Sequence, residues 1–252
     1  MVERIKVRFF FENGRIYPHQ ADFAQIIGIY NIAGRKPIPM SAEHHKKESQ
    51  IERIIFFSDA VFAIAITLLV IELKVPHLDA SFSNRDIWIT LRNMSQQFIG
   101  FILSFYVIAI FWITHHKIMS YLVAYNRKLI WKNMHLLFWI AFMPFSSALY
   151  SEYLYRQPVL IWYSLNIIIV GLKVMDLWNY ISNPKNKLSK GLENRKYVEY
   201  NFMRVLVAPF AFLLAIVLSF VNMKWAYFSP ISILFIIPLL KRRYKDVAPH
   251  WD

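Results

Sequence analysis

Arg53, Ser58 and Asp59 stand at one end of an apolar run, RIIFFSDAVFAIAITLLVIEL, whose middle carries a single hydroxyl, Thr67. A carboxylate in such a run can ligate a cation, relay a proton or tie neighbouring helices together. Each role needs partners at the same membrane depth. The sequence holds candidates: FWITHHK supplies Trp112, His115 and His116, and RKLIWKNMH supplies Asn133. A hydrogen-bonded knot joining three helices is the first reading, and a proton relay or ion ligand the second. Because histidine titrates near neutrality, either would also transmit pH.

The elements that would hold these residues are membrane helices. The 252 residues are 57% hydrophobic and 17% aromatic with only 6 glycines, and the mean hydropathy is +0.35, too apolar for an ordinary soluble domain. Six apolar segments stand out: residues 54–73, 94–114, 129–150, 159–180, 202–221 and 225–240. Each is close to the roughly 20 residues that cross the hydrocarbon core, and no alternating pattern competes. The expected fold is therefore an all-α integral membrane protein of six transmembrane helices. Pro144, Pro209, Pro230 and Pro238 fall within or beside the spans, where they bend helices or start them.

The net charge of +13 could suggest nucleic acid, but its distribution favours the membrane. Lys46, Lys47, Arg53, Lys117, Arg127, Lys128, Lys132, Lys185, Lys187, Lys190, Arg195, Lys196 and the terminal KRRYK fall on one side. Lys74, Arg85, Arg92, Arg156 and Lys224 are spread thinly on the other. The positive-inside rule then places both termini in the cytoplasm. KRRYK reads as a topological anchor that touches anionic lipid, and no nucleic-acid partner is expected. There is no cysteine, which excludes disulfides and thiolate chemistry, and no secretory signal peptide is visible.

Residues 1–49 form an N-terminal extension outside this pattern, residues 50–243 the six-span domain, and residues 244–252 a tail. Met40 precedes the charged SAEHHKKESQ and offers an alternative start, and residues 1–39 receive no function.

On the first helix, at roughly 100° per residue, Ala60, Ile64, Thr67 and Ile71 fall within about 60° of one another. Ser58 and Asp59 lie about 120° and 140° from Ile64, so the helix has an apolar stripe and a separate polar corner. Periodicity alone leaves the stripe open to lipid, core packing or a pore. Lys173 and Asp176, three residues apart, are expected to form an ion pair.

The stretch RIIFFSD, with Arg53, Phe57, Ser58 and Asp59, matches RxxxFSD, and FWITHHK follows the second span. In these residues and in its six-span layout, the chain resembles the transmembrane protein 175 family, the lysosomal-type potassium channels and their prokaryotic relatives. The resemblance covers about residues 50–243, and a single RxxxFSD makes it similar to the single-unit prokaryotic members. It implies a potassium-permeable channel, with no cofactor, in which the first helix of each of four chains lines a central pore in the inner membrane. It also implies an aliphatic constriction at Ile64, a pore hydroxyl at Thr67 and a further aliphatic ring at Ile71. Arg53 would then bend into the Asp59 knot or pair elsewhere. No TVGYG filter occurs, so selectivity would rest on side chains: a neck that closes by dewetting and favours the more readily dehydrated ion.

Three other classes remain beside this. A secondary transporter would use Asp59 with His115 or His116 as its coupling site, although Gly/Pro-broken helix pairs are missing. A membrane enzyme lacks any H-E-x-x-H or G-x-S-x-G motif. A structural membrane subunit needs no further residue.

Overall fold

A computed structural model describes residues 9–12, 15–18, 42–74 and 83–247, with side chains from residue 48 onward. The chain divides into two compact units, Met1–Lys46 and Lys47–Asp252. In the first, strands β1 (Phe9–Glu12) and β2 (Arg15–Pro18) pair antiparallel, with Phe10 opposite Tyr17 and Glu12 opposite Arg15. The sequence between them is Asn13–Gly14, the dipeptide favoured in tight hairpin loops. Met40 lies outside the described residues, as does the end of the C-terminal tail.

Nine α-helices follow among the described residues: α1 (Ala42–Ile71), α2 (Asn84–Asn93), α3 (Ser95–Met119), α4 (Arg127–Ala141) and α5 (Met143–Glu152). Then come α6 (Gln157–Ser182), α7 (Arg195–Ser219), α8 (Met223–Phe228) and α9 (Ser232–Arg243). They make six spans long and apolar enough to cross a membrane: Glu48–Ile71, Ser95–Met119, Arg127–Glu152, Gln157–Ser182, Arg195–Ser219 and Met223–Arg243. The protein is an integral membrane protein whose spans are all helical.

These spans outrun the apolar segments read from the sequence. The second continues past Thr114 through His115, His116 and Lys117, and the fifth begins at Arg195. A helix satisfies its interior backbone in water as well as in lipid, so it can continue into the headgroup region. Hydropathy reports only the hydrocarbon. The third and sixth spans are each two helices. The first break falls at Phe142, with Pro144 in the opening turn of α5, and the second is a 3₁₀ turn, Ser229–Ile231, around Pro230. Pro209 and Pro238 lie inside α7 and α9.

Asparagines mark several helix starts. Asn126, Asn194 and Asn222 accept from backbone N–H groups in the first turns of α4, α7 and α8. At α2 the cap is reciprocal: Ser83 Oγ accepts from Asp86 N, and Asp86 Oδ2 accepts from Ser83 N at 3.0 Å. The Ser83 hydroxyl, then its backbone N–H, hold the Asp86 carboxyl below its ordinary range. A depressed carboxyl contributes stability above its unfolded pKa and loses it as pH falls through the folded one. Amide exchange in the first turn of α2, taken relative to the intrinsic rate at each pH, should therefore be steady from pH 8 to about 5 and rise below about pH 4. Ser83→Ala should raise it several-fold at pH 7. Unchanged exchange in the variant would remove the cap from this account.

The core is built around α6, whose Tyr163, Ile167, Val170, Val174, Leu177, Trp178 and Ile181 are buried. It packs most extensively on α7, where Gly171 meets the ring of Pro209. At one end, the loop after α3 pairs with the loop after α6 through a Leu122–Ser189 bridge, and the Tyr121 and Tyr197 hydroxyls lie 2.7 Å apart. The basic residues of both loops therefore share one end. Asp176 departs from the expected pairing with Lys173. It turns to α4 instead, where Lys132 Nζ sits 2.6 Å from both carboxylate oxygens and 5.4 Å from the Tyr180 ring centre. A partner on the facing helix can approach both oxygens at once, which a neighbour one turn away on the same surface does not do here.

Candidate functional site

The first span has two unlike faces. Ile51, Ser58, Phe62, Ala65 and Leu69 recur at helical spacing and are buried against the rest of the chain. Ala60, Ala63, Ile64, Thr67 and Ile71 are turned away from it, with Ile64 58% and Ile71 70% exposed. That exposure shows that the chain's own bundle leaves the stripe uncovered. Thr67 donates its hydroxyl proton back into the helix, to Ala63 O at 3.0 Å and Ile64 O at 2.9 Å. Its oxygen lone pairs remain directed off the helix surface.

The polar corner is divided into two pieces by burial. The inner piece is a chain of hydrogen bonds across three helices. Ser58 donates to Ile54 O at 2.8 Å and accepts from Asn133 Nδ2 at 2.8 Å, while Asn133 Oδ1 accepts from His115 Nε2 at 2.9 Å. Ser58, Asn133 and His115 are at most 1% exposed. His115 also packs on Phe62, ring centres 5.4 Å apart, and its Nδ1 is buried with no hydrogen-bond partner. Because Asn133 gives an N–H to Ser58, its oxygen faces the imidazole, which puts the proton on Nε2.

The outer piece is more open. Trp112 Nε1 donates to Asp59 Oδ1 at 2.9 Å, and His116 lies against Trp112 with ring centres 5.7 Å apart. Asp59 accepts from the indole and from neither histidine. Arg53 and Phe57 are exposed; Arg53 does not join Asp59, and no hydrogen bond or ion pair holds it among the described residues. The sequence could not separate His115 from His116, since adjacent residues differ by roughly 100° and only packing decides which points inward. Among the described residues no group of three or more His, Cys, Asp or Glu side chains gathers as a metal site.

Reading motifs alone misses a second buried polar group. Ser147 donates to Ser104 Oγ at 2.7 Å, Ser104 and Tyr163 hydroxyls are 2.9 Å apart, and Asn166 donates to Ser146 at 2.7 Å. Tyr150 stacks on Tyr163 at 4.5 Å. These residues join the second, third and fourth spans at the break in the third. The available signal was a set of polar residues inside apolar runs, which in a membrane face protein.

The known proteins similar to this chain are potassium channels. The family model described as the endosomal/lysosomal potassium channel TMEM175 matches residues 53–144, the stretch that contributes Ser58, Asp59, Trp112, His115 and Asn133. A potassium channel of Chryseobacterium sp. is 31% identical over 150 residues, covering 59% of this chain and 74% of the relative. One of Chamaesiphon minutus is 30% identical over 179 residues, covering 70% and 87%. The crystal structure of a lysosomal potassium-selective channel TMEM175 homolog from Chamaesiphon minutus superposes with a TM-score of 0.62 at 26% identity, over 78% of this chain and 98% of that one. The potassium channel MtTMEM175 matches with a TM-score of 0.55 over 75% and 89%, and at 19% identity shows the fold alone.

Proposed function

This chain belongs to the TMEM175 family of potassium channels, and from that premise we propose that four copies surround a central pore lined by α1, with its neck at Ile64. The protein is a potassium channel, not an enzyme, and potassium is its permeant ion. One observation carries the pore model. The buried face of α1 is turned to its own bundle, and the face bearing Ile64, Thr67 and Ile71 is left for an axis.

Four Ile64 side chains around that axis make an apolar constriction that conducts when wetted and closes by dewetting. An ion entering it must shed water, which potassium does at lower cost than sodium. Thr67, one turn away, offers oxygen lone pairs to the partly dehydrated ion because its proton is already given to the helix. Ile71 forms a second apolar ring. With 6 glycines and no TVGYG, the chain holds no carbonyl filter of the familiar kind, so modest selectivity follows. The basic loops joined by the Leu122–Ser189 bridge support a cytoplasmic position for that end and for both termini, in a prokaryotic inner membrane.

The test is reconstitution in planar bilayers under opposed potassium and sodium gradients, comparing wild type with Ile64→Asn. Wild type should give unitary currents that reverse toward the potassium potential. Ile64→Asn should raise conductance and lower the potassium-to-sodium permeability ratio several-fold. Currents indifferent to Ile64→Asn move the neck elsewhere, and a stable monomer by native mass spectrometry ends the central-pore model.

A further inference from the structure

A cavity of about 240 Å³ lies between α3, α6, α7 and α9. Its walls are apolar along most of their length, with Val107, Phe111, Val207, Phe212, Ile233 and Ile237 among them. From Val107 to Lys117 the wall made by α3 runs roughly 15 Å. At one end its character changes to Lys117, Asn201 and Arg204. That end is the one where the basic loops lie, because Lys117 closes α3 while Asn201 and Arg204 open the antiparallel α7.

We propose that this cavity binds an anionic phospholipid of the adjoining leaflet, with an acyl chain against Val107, Phe212 and Ile237 and the phosphate on Lys117 and Arg204. The site is distinct from the pore, and the inference stands whether or not Ile64 forms the neck. Two features select this occupant. The first is amphiphilic match: an apolar slot ending in two cations at interfacial depth pairs an acyl chain with an anionic head, where a zwitterionic head would bring its own cation against them. Arg204 offers a planar fork suited to phosphate, and Lys117, whose Nζ lies 5.9 Å from the Tyr197 ring centre, adds a point charge. The second is access. The outer surface of α9 carries Leu234, Phe235 and Leu239, 70%, 73% and 67% exposed, an apolar surface of the kind that faces acyl chains. A lipid can enter beside it without the bundle opening.

The experiment uses the purified full chain in detergent, with native mass spectrometry and thermal unfolding in the presence of phosphatidylglycerol, phosphatidylcholine of the same chains, or oleate. Wild type should retain phosphatidylglycerol with roughly tenfold preference over phosphatidylcholine and melt higher in its presence. Lys117→Gln/Arg204→Gln should reduce retention to the phosphatidylcholine level. Ala208→Trp, which fills the slot, should reduce both, and Val205→Trp serves if that variant does not fold. Equal retention of the two phospholipids by wild type overturns the proposal. So does a preference that survives Lys117→Gln/Arg204→Gln, which would place recognition on the Lys241–Arg243 surface instead. Stabilisation by oleate without phosphatidylglycerol makes the occupant a free fatty acid and overturns the assignment equally.

Discussion

Gly171→Val should abolish the folded bundle or lower its thermal transition more than any other single exchange considered for this protein. A Cβ at Gly171 would overlap Pro209 Cγ and sit 2.9 Å from Cδ, closer than real contacts come. Neither side can give easily. The proline ring is rigid and buried inside α7, and Gly171 is buried inside α6 at the most extensive helix pair in the molecule. In a bilayer, close packing between helices supplies much of their attraction, so separating the pair loses contacts along its whole length. Overpacking costs about 1–3 kcal/mol when a core can adjust, and this site should lie at or beyond the top of that range. Gly171→Ala should fall between wild type and Gly171→Val.

Gly100→Ala provides the contrast. Its added Cβ meets the Ser151 hydroxyl, the end of a side chain that can rotate, so the loss should be smaller. Pro209→Ala should partly restore Gly171→Ala by removing the ring. A Gly171→Val protein with the wild-type melting temperature would show that α6 and α7 are not packed in this register.

Asn133→Leu carries the second large effect. The leucine fills much the same volume but removes both halves of the link between α1 and α3. Ser58 keeps its bond to Ile54 O and loses only a donor to its lone pair. His115 fares worse: its Nε2–H loses the Asn133 oxygen while its Nδ1 already has no partner, leaving a buried imidazole without any hydrogen bond. Each buried group left unmatched costs about 1–3 kcal/mol, whereas removing both partners together can be nearly neutral. Asn133→Leu should therefore lower stability sharply, and adding His115→Phe should recover part of it. Because α1 bears the proposed pore face, the single variant should also disturb conduction in surviving channels. A double variant no more stable than Asn133→Leu alone would show that the His115–Asn133 bond is not where the stability resides.

Much of this was available in the order of residues. Six apolar runs near bilayer length require six helices, since no other open chain satisfies its backbone in lipid. RIIFFSD followed by FWITHHK marked the channel family, and a fixed turn of roughly 100° per residue put Ile64, Thr67 and Ile71 on one face before any contact was known. These are local properties, set by neighbours along one helix.

Contacts between helices were decided only by the tertiary structure, because the rotation of each helix against the others is a property of the whole packed bundle. Packing turned His115 inward to Asn133 and left His116 outside on Trp112. It gave Asp59 an indole donor in place of an imidazole, and drew Asp176 to Lys132 across a helix boundary. It also brought Gly171 under Pro209, two residues 38 positions apart whose meeting no periodicity announces. Sequence determined which residues each helix could present, and close packing of the spans chose which of them met.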